Sequence, residues 1–583
     1  MIIKTFDYKN LLLKHSKVLS AEEIDPKELP ERMRHKSKIS RYFLIYFQID
    51  KATYELVISE PDDFPKTLPC IHLAHPEMHD FHNHVNFVGN ICYLDEGAGV
   101  FIDVKKPEAV LHKVLSMTGD TIESSFDRNL TSLYEEFEGY WNSLPDIVEV
   151  GCFYTPGSTP ESIKAFCDPK SKKKFVPLIL YKNAIPKEYG YYKRLQRLQS
   201  MNAWYIPLSK SVLPPLPDSG LNVFYVRKLL NYINTDLKRK LLSILTKQKK
   251  KRKGKKEYRN EIYLFSHPRP SGKLALFGVF ASGYSNKDFF SDSYEQSWKL
   301  LPLSIQRHYR SYMLERGGSS LNMKDITVAV IGCGAVGSRI SEFLALSGVG
   351  HIMIIDYDIL KEDNIYRHVL GGESIDINKA KAMADYLKRR FPYIDVYNEP
   401  ANRESWMKGK KWKDIQLIID ATADFTGMRE MNKTIFALNN PVPTVYCWLE
   451  ACSIGGHAIL VDGKSKGCFE CLLDSKENGP YRRCDFLKPY QKITKDLTGC
   501  GGAFTPFSSL DAIKTATLAV ELAIENIMNK QKSIYKYWIG ESRHSENAGL
   551  VLSDWYKKAY DGNTDNVETN YYKINCPICS CNL

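Results

Sequence analysis

The sequence predicts a multidomain α/β protein. A doubly wound, Rossmann-like sheet fills its C-terminal half, and two α+β segments precede that half. Three observations support this fold class. From about residue 301 onward, strands alternate with helices, as they do in a doubly wound sheet. The first of these strands, ITVAVIG, is apolar and β-branched, which is typical of a buried parallel strand. A glycine-rich turn joins it to an apolar-periodic helix, SRISEFLALSG.

Length and composition indicate a globular protein with several cores. The 583 residues suffice for three or four domains, and we expect three segments: 1–150, 151–300 and 301–583. No apolar run approaches the roughly 20 residues that cross a bilayer, and the N-terminus lacks the apolar core of a signal peptide. The fourteen cysteines carry no extracellular cue. We therefore expect a cytoplasmic protein with reduced thiols and no membrane contact.

Residues 1–150 mix strands with two helices, PEAVLHKVLSMTG and NLTSLYEEFEGYWNSL. Before the helices, YELVISEPDDFPKTLPCIHLAHPEMHDFHNHVNFVGNICYLDEG contains an extended strand, a Phe64-Pro65 turn, then His84, Asn86 and Cys92. This order resembles that of ubiquitin-conjugating enzymes and implies a domain of that α+β fold. By the resemblance, Cys92 is the thioester cysteine, and the alternative is an inert buried cysteine. Asn86 either serves the transition state or holds its loop through an Asx turn.

Residues 151–300 contain proline-rich breaks and expected strands such as KLALFGVFAS, but no chemical motif. We expect a middle or linker α+β domain. Much of the net charge of +12 comes from residues 247–256, which hold eight basic side chains. Such a run either is a solvated loop or binds nucleic acid or an acidic partner. Aromatic residues do not interleave with the charges, so we favour the loop and do not expect nucleic acid.

The strand ITVAVIG leads into a nucleotide-binding pattern. Gly332, Gly334 and Gly337 form G-C-G-A-V-G, in which glycines let the backbone approach phosphate and the helix N-terminus offers free N–H groups. The next strand, HIMIIDYD, ends at Asp356, whose carboxylate can reach a ribose hydroxyl. By itself this pattern indicates NAD, FAD or ATP.

The continuation narrows the choice to ATP. DYDILKEDNIYRHVLGGESIDINKAKA adds Asn364, Arg367 and Lys379, an array that no dehydrogenase needs. A protein that handles the triphosphate of ATP and a carboxylate does need such groups. Because a carboxylate is a poor acyl donor, it is activated by attack on the α-phosphate, and fixed cations together with Mg²⁺ stabilise the developing charge.

From Arg307 onward the chain resembles the ThiF/MoeB-like family, the adenylating core of ubiquitin-activating enzymes. The resemblance implies that the three glycines form the nucleotide loop, that Asp356 holds the ribose, and that Asn364, Arg367 and Lys379 contact the phosphates. It also implies an arginine supplied across a homodimer interface, for which Arg310 is the nearest match. The magnesium-binding aspartate of the family follows a D-x-T turn. Here the order is Asp420-Ala-Thr-Ala-Asp424, one position longer, and Asp424 is the candidate.

Two C-x-x-C pairs suggest a metal site. Cys468 and Cys471 form the first pair, and Cys576 and Cys579 form the second. Four thiolates in paired knuckles suit tetrahedral zinc, and the alternative is a reduced pair in each place. The resembled family closes a structural zinc site by the same long-range pairing, which implies Zn²⁺ here.

One further cysteine, Cys500, lies in a glycine-rich loop before a long amphipathic helix, in KDLTGCGGAFTPFSSLDAIKTATLAVELAIENIM. The resemblance extends to autophagy-type activating enzymes, which carry their thioester cysteine in a crossover loop at this position. The following helix N-terminus could lower the pKa of the thiol. A buried structural cysteine is the alternative.

The fusion of both modules resembles the protein-ligating enzymes of bacterial CBASS antiphage operons. The resemblance implies that the enzyme adenylates the C-terminal tail of a CD-NTase, a cyclic-oligonucleotide synthase. The partner then passes to Cys500, to Cys92, and to an amine on an acceptor protein or another molecule. It also implies a homodimer. Three alternatives remain: a different ubiquitin-like modifier, a sulfur-carrier adenylyltransferase that would not need Cys92, and a non-catalytic scaffold that binds a partner's tail.

Overall fold

The protein forms two compact units, one made of residues 1–185 and 193–309 and the other of residues 186–192 and 310–583. In the computed structural model, no helix among the described residues combines the length and apolar character needed to cross a bilayer. The described residues are 7–30, 33–34, 39–76, 83–94, 102–125, 130–167, 177–182, 185, 199–249, 257–285, 287–290, 298–409, 411–497, 503–561, 567–568 and 571–580.

The first unit begins with a four-stranded antiparallel meander in the order β1-β2-β3-β4. Buried side chains such as Phe43, Ile45 and Phe47 alternate along the second strand and pack against Leu111 and Leu115 of a long helix. This alternation of buried and more exposed residues is the period of a strand with one face on a core. The elements are α1 (Tyr8–Leu13), β1 (Val18–Ile24), β2 (Ile39–Ile49), β3 (Ala52–Pro61), β4 (Ile71–Leu73) and α2 (Pro107–Ser125).

The second helix expected from the sequence is broken in two, α3 (Leu130–Glu135) and α4 (Phe137–Asn142). The break lets α4 turn onto the strands that follow. Trp141 is buried, and its Nε1 donates to the carbonyl oxygen of Leu303 at 3.1 Å. Glu138 accepts from the backbone nitrogen of Leu276 at 3.0 Å and pairs with Arg307 at 2.6 Å. Side chains of residues 137–144 therefore belong to the core of the middle segment.

The middle segment is a closed barrel in the strand order β10-β11-β5-β7-β6-β8-β9. The strand expected at KLALFGVFAS is confirmed, whereas closure of a barrel was not expected. Its last strand continues past residue 301, and the chain from Arg310 onward belongs to the second unit. The elements are β5 (Val148–Cys152), β6 (Glu161–Cys167), β7 (Pro177–Tyr181), β8 (Gln199–Pro207), α5 (Val223–Lys228), α6 (Thr235–Lys249), β9 (Glu257–Pro268), β10 (Leu274–Ser285) and β11 (Trp298–Arg307).

The second unit is built on an eight-stranded sheet in the order β14-β13-β12-β15-β16-β17-β22-β23. The first five strands are parallel, and the remaining pairings are antiparallel. The Rossmann-like strands expected at ITVAVIG and HIMIIDYD are confirmed, and a further parallel strand is formed by LIID. The strands are β12 (Thr327–Ile331), β13 (His351–Ile355), β14 (Asp395–Glu399), β15 (Leu417–Asp420), β16 (Thr444–Leu449), β17 (Gly455–Val461), β22 (Ile534–Ile539) and β23 (Val567–Glu568).

Hydrophobic cores cover both faces of this sheet. Because the carboxyl ends of parallel strands share one edge, the loops after β12, β13, β15 and β16 meet there. Two small antiparallel pairs form separate two-stranded sheets: β18 (Leu473–Lys476) with β19 (Gly479–Arg482), and β20 (Lys495–Asp496) with β21 (Ala503–Phe504). The helices are α7 (Arg310–Arg316), α8 (Ala335–Leu346), α9 (Lys379–Arg390), α10 (Arg403–Lys408), α11 (Phe425–Phe436), α12 (Ser509–Asn529), α13 (Arg543–Asn547) and α14 (Asp554–Asp561).

Candidate functional site

The glycine-rich loop closes tightly between β12 and α8. Gly332 has φ +85°, a left-handed conformation that favours glycine, and a Cβ there would lie 3.0 Å from Cγ2 of Thr422. A Cβ on Gly337 would lie 1.7 Å from the carbonyl oxygen of Gly332, so only glycine lets the helix approach the loop this closely. Gly334 N-caps α8, and a Cβ there would meet no atom within 4 Å. Its open side is the approach that a phosphate needs.

Asp356 ties this loop to the end of β13. One of its carboxylate oxygens accepts from the backbone nitrogen of Cys333 at 2.6 Å, and the other accepts from that of Asp358 at 2.8 Å. Burial raises the pKa of Asp356, and these two N–H bonds act against the rise. Because each oxygen has a second lone pair, the carboxylate can still accept from a ribose hydroxyl.

His368 supports the same loop from beneath. Its Nε2 lies 2.7 Å from the carbonyl oxygen of Cys333, and its Nδ1 accepts from the backbone nitrogen of Leu370 at 3.1 Å. These partners require a neutral ring with the proton on Nε2. Burial lowers the pKa of His368 to about 4, so the ring stays neutral at physiological pH.

Two of the predicted phosphate-binding cations have different surroundings. Lys379 begins α9, and its Nζ lies 3.0 Å from Oδ2 of Asp358. The guanidinium of Arg367 lies 5.6 Å from the ring centroid of Phe507, in the segment that follows the Cys500 loop. No ion pair of Arg367 occurs among the described residues, which leaves its charge for an anion. Nothing in the sequence singled out Phe507.

The remaining predicted contacts lie nearby in the chain. Asn364 caps a short 3₁₀ turn, where its Oδ1 accepts from the backbone nitrogen of Lys361 at 3.3 Å. The backbone nitrogen of Arg367 in turn donates to the carbonyl oxygen of Asn364 at 3.0 Å. Arg310 begins α7, and its Nη2 donates to the carbonyl oxygen of Lys324 within the same unit at 3.4 Å. Its assignment to a dimer interface stays a prediction.

Sequence reasoning missed a buried arginine at the predicted magnesium aspartate. Arg403 donates from Nε to Oδ2 of Asp420 at 2.7 Å and from Nη1 to Oδ2 of Asp424 at 3.0 Å. Asp420 is fully buried, whereas the side chain of Asp424 is 55% exposed. Oδ1 of Asp424 also accepts from the backbone nitrogen of Gly427 and caps α11. The exposed carboxylate therefore retains acceptor capacity for a hard cation such as Mg²⁺.

The four predicted zinc ligands come together. Cys468 and Cys471 adjoin a 3₁₀ turn before β18, while Cys576 and Cys579 lie near the C-terminus. The sulfur–sulfur distances are 3.6 Å for Cys468–Cys576, 3.5 Å for Cys471–Cys579 and 4.0 Å for Cys468–Cys471. These distances exceed a disulfide bond. They bracket the separation of about 3.8 Å that tetrahedral ligation at about 2.3 Å requires, so the cluster fits zinc.

Cys500 lies outside the described residues, which end at Leu497 before it and resume at Ala503 after it. Lys495 pairs with Phe504, and Asp496 pairs with Ala503, so β20 and β21 bridge the two ends of the loop. Farther on, the backbone nitrogen of Cys452 donates to the carbonyl oxygen of Pro506 at 2.7 Å. The expected long helix after Cys500 is confirmed as α12.

A cavity of about 680 Å³ lies beside this loop. Two of its residues, Cys452 and Ser453, have left-handed backbone conformations, with φ of 57° and 59°. Such strain in non-glycine residues persists only where surrounding contacts hold it, here the bond from Ser453 Oγ to Oδ2 of Asp511 at 2.6 Å. The cavity is lined by Cys452, Ser453, Lys492, Ile493, Thr494, Lys495, Phe504, Pro506, Phe507, Ser508, His544, Asn547, Ala548 and Leu550.

In the first unit, Cys92 is exposed, so it is not an inert buried cysteine. Its backbone nitrogen donates to the carbonyl oxygen of His84 at 2.7 Å. Oδ1 of Asn86 accepts from the backbone nitrogens of Val88 at 3.1 Å and Asn90 at 3.0 Å. Asn86 therefore holds its loop as an Asx turn does. Nδ1 of His84 lies 2.8 Å from Oε1 of Glu136, which links the loop to the break between α3 and α4.

Two protein-family models match separate parts of the chain. The ThiF family model matches residues 307–532, and the model for prokaryotic E2 family B matches residues 29–149. The first match contains the glycine loop and Cys500, and the second contains Cys92. The chain therefore combines an E1-like ThiF region and an E2-like region in one polypeptide.

Two curated relatives match in part. The ATP-dependent ubiquitin transferase-like protein Cap2 of Pseudomonas aeruginosa is 29% identical over 233 residues, 39% of this chain and 41% of that protein. Adenylyltransferase and sulfurtransferase MOCS3 of Culex quinquefasciatus is 26% identical over 231 residues, 39% of this chain and 49% of that protein. The chain thus spans less than half the length of each. A crystal structure of E. coli MccB with MccA-N7isoASN has 19% identity and a TM-score of 0.31 over 44% of this chain and 68% of that one, which supports no argument.

Gly337→Ala tests the tight approach of α8 to the nucleotide loop. Without nucleotide, we expect the free energy of unfolding of Gly337→Ala to fall by about 3 kcal/mol, because the added methyl group meets backbone atoms. This value is the upper end of the usual cost of overpacking. Gly334→Ala is the matched control, since its methyl enters open space. It should keep the thermal unfolding midpoint of the wild type while reducing the stabilisation that ATP produces. Equal midpoints for the two variants without nucleotide would contradict this interpretation.

The pH dependence of stability tests the neutral state of His368. Between pH 6.5 and about 4, the unfolded state binds a proton that the folded ring does not, so stability falls as pH falls. The loss amounts to about 1.4 kcal/mol per pH unit in this window. In His368→Gln, we expect the free energy of unfolding, measured by urea unfolding, to depend less steeply on pH in this window. The difference in slope should correspond to about one bound proton. At pH 8 the ring is neutral in both the folded and the unfolded state, so the difference between wild type and His368→Gln at that pH gives the packing cost alone. An unchanged pH slope in the variant would refute the assignment of a neutral His368.

Proposed function

We propose that the chain is an ATP-dependent protein ligase. It adenylates the C-terminal carboxylate of a partner protein, carries the acyl group on Cys500 and then on Cys92, and transfers it to an amine. One observation carries this proposal. A ThiF-family region with a tight glycine loop and a prokaryotic E2 family B region with an exposed cysteine lie in the same polypeptide.

The first step is attack of the partner's carboxylate on the α-phosphorus of ATP, which forms an acyl adenylate and releases pyrophosphate. In this proposal, the backbone around Gly334 and the N-terminus of α8 bind phosphate oxygens. Asp356 accepts from the ribose, and Asn364 contacts the triphosphate. Arg367 and Lys379 stabilise the charge that builds on the leaving pyrophosphate. The arrangement of Arg367, which has no ion pair in the described part of the chain, supports this role.

Two thioesters follow in sequence. The thiolate of Cys500 attacks the acyl carbon and releases AMP, and the thiolate of Cys92 then attacks the new thioester and releases Cys500. An amine finally attacks the thioester on Cys92, and its sulfur leaves as the thiolate. Fusion of the modules raises the effective concentration of Cys92 for the second transfer. The Asx turn at Asn86 supports this role because it fixes the loop that leads to the exposed cysteine.

Two ions have matching donor sets. The exposed carboxylate of Asp424 offers hard oxygen ligands for Mg²⁺, which would neutralise charge on the triphosphate when bound. Cys468, Cys471, Cys576 and Cys579 would hold a structural Zn²⁺ and attach the C-terminus to the sheet.

The partner we propose is a CD-NTase, in a CBASS antiphage system of the cytoplasm. The resemblance to CBASS ligases and the similarity to Cap2 support this choice. An extended tail would enter the cavity beside the Cys500 loop, whose lining offers polar and apolar groups.

We also propose a homodimer, with Arg310 at its interface. Tyr366, 96% exposed, and Tyr357, 67% exposed, provide aromatic surface near the nucleotide loop for such contacts.

In this proposal, each of the three predicted segments has its own role. Residues 1–150 catalyse conjugation to the amine, residues 151–300 connect the other two segments, and residues 301–583 activate the partner's carboxylate. A sulfur-carrier adenylyltransferase is the second candidate function, favoured by the 26% identity to MOCS3. Such an enzyme would need the nucleotide loop and the zinc cluster but would have no use for Cys92.

Cysteine substitutions distinguish these functions. With ATP and a candidate CD-NTase, we expect thiol-sensitive adducts on non-reducing gels and pyrophosphate exchange that depends on the partner's tail. Cys500→Ala should retain exchange and lose both thioesters, because only the first acceptor is missing. Cys92→Ala should retain the adduct on Cys500 and lose transfer to amines.

Cys70→Ala is the control for the relay, since this half-buried thiol lies in the same E2-like region. It should form both adducts at wild-type levels. Full amine transfer by Cys92→Ala would exclude Cys92 from the relay, whereas absence of amine transfer in the wild type, with adducts unchanged in Cys92→Ala, would support sulfur-carrier chemistry. Absence of any exchange in the wild type, with the nucleotide loop folded, would favour a scaffold.

Substitution of two of the four cysteines tests the zinc cluster. We expect one zinc per chain by inductively coupled plasma mass spectrometry, and loss of that zinc in Cys576→Ser/Cys579→Ser, because two thiolates cannot complete a tetrahedral site. The unfolding midpoint should fall, since metal binding to the folded state stabilises it. Cys484→Ser controls for the loss of a nearby buried thiol and should retain the metal. Full zinc content in the double variant would exclude the cluster as the site.

A further inference from the structure

Arg403 organises the turn between β15 and α11. Its guanidinium contacts all three polar side chains of that turn: Asp420, Asp424 and Thr422, whose Oγ1 accepts from Nη2 at 2.6 Å. Thr422 also donates to Oδ1 of Asp420 at 2.7 Å and lies against Gly332 of the nucleotide loop. The guanidinium is thus part of one hydrogen-bonded turn that adjoins the phosphate-binding loop.

Two features of the sequence are explained by this contact. Gly427 lies in the first turn of α11, where a Cβ would be 1.5 Å from Nη1 of Arg403, so glycine makes room for the guanidinium. Ala423, the additional residue between Asp420 and Asp424, has φ +54°. This left-handed step brings Asp424 to the N-cap of α11 and within 3.0 Å of Arg403. The longer turn and the arginine therefore fit each other.

The charges explain what the contact does. Asp420 is fully buried, and burial raises its pKa while the guanidinium beside it favours the charged form. With the Asp420 charge balanced by Arg403, the exposed carboxylate of Asp424 keeps its negative charge, as does that of Glu404, whose Oε1 lies 3.5 Å from Nη1 of Arg403. Two donors, Arg403 Nη1 and the backbone nitrogen of Gly427, hold the Asp424 carboxylate in one orientation. A carboxylate held in place loses less conformational entropy when it binds a cation.

We infer that Arg403 is a positioning residue that holds Asp424 for the divalent cation of bound ATP. The inference rests on the proposed adenylation function and adds to it a residue that the sequence motif does not contain. Arg403 itself touches neither nucleotide nor metal. It acts through Asp424, so its loss weakens metal binding while the glycine loop and the cations Arg367 and Lys379 stay intact.

The test uses Arg403→Met/Asp420→Asn in the full chain. Removing Arg403 alone would leave Asp420 as an unpaired buried charge, whereas the double variant is neutral and keeps the acceptor for Thr422. Arg429→Met is the matched control, because Arg429 lies on α11, the helix that Asp424 caps, and pairs with Glu470 and not with Asp424. Mn²⁺ binding is measured by electron paramagnetic resonance with saturating α,β-methylene-ATP. The Mg²⁺ dependence of pyrophosphate exchange and the thermal unfolding midpoint are measured in parallel.

We expect the double variant to bind Mn²⁺ about tenfold more weakly than wild type. Its exchange should need more Mg²⁺ but approach the wild-type rate at saturation, with Arg429→Met unchanged in both. Asp424→Asn should weaken Mn²⁺ binding to the same degree, and combining it with the double variant should add little. Unchanged or tighter Mn²⁺ binding in the double variant, with wild type binding normally, overturns the inference. If wild type binds the nucleotide but never catalyses exchange, the proposed function fails while the Mn²⁺ comparison still decides the role of Arg403.

Discussion

The second unit depends on one close approach, that of Gly337 to the carbonyl oxygen of Gly332. It lets α8 begin directly at the carboxyl end of β12, so that the helix N-terminus and the loop face the same space. Asp356 fixes the loop from β13, and Thr422 packs against it from β15. Three neighbouring strands therefore share one constraint, and a side chain at residue 337 would disturb all of them. Backbone contact by itself therefore requires glycine here, in addition to the phosphate binding that we propose.

The sequence predicted the parts of this arrangement that depend on local pattern. Apolar runs predicted β12 and β13, and the glycine spacing predicted the loop. Arg403 could not be found this way, because its partners Asp420 and Asp424 are 17 and 21 residues away and meet it only in the folded sheet. Barrel closure was missed for the same reason, since the parallel pairing of β5 with β11 joins Val148 to Leu303. The break at Glu136 was missed because α4 turns to follow the barrel, which the helix pattern does not encode.

The meeting of the two cysteine pairs could be predicted only in part from local sequence patterns. Each C-x-x-C is a local signal, yet the ligand set needs residues 108 positions apart to meet. The strand order makes this possible: β17 and β22 extend the sheet beyond the parallel strands, and the tail then returns to the 3₁₀ turn at Cys468. Tyr571 and the four cysteines share one core with Trp448 and Phe469. The cluster therefore closes the core on that face of the sheet, and its effect on stability reaches beyond the C-terminus.

In the proposed relay, the pairing of β20 with β21 limits how far Cys500 can carry an acyl group. With Asp496 paired to Ala503, Cys500 is three residues from the nearer anchor, and three residues span at most about 10 Å. In the proposed relay, Cys500 acts within this radius of its described anchor, and Phe507, farther along the same segment, contacts Arg367. Delivery to Cys92 in that relay requires that the E2-like region enter this radius or that the two-residue ladder open. A ladder of two residue pairs is weak enough to open, and the bond from Cys452 to Pro506 would then become the anchor. Six residues would separate that anchor from Cys500, which doubles its reach to about 20 Å.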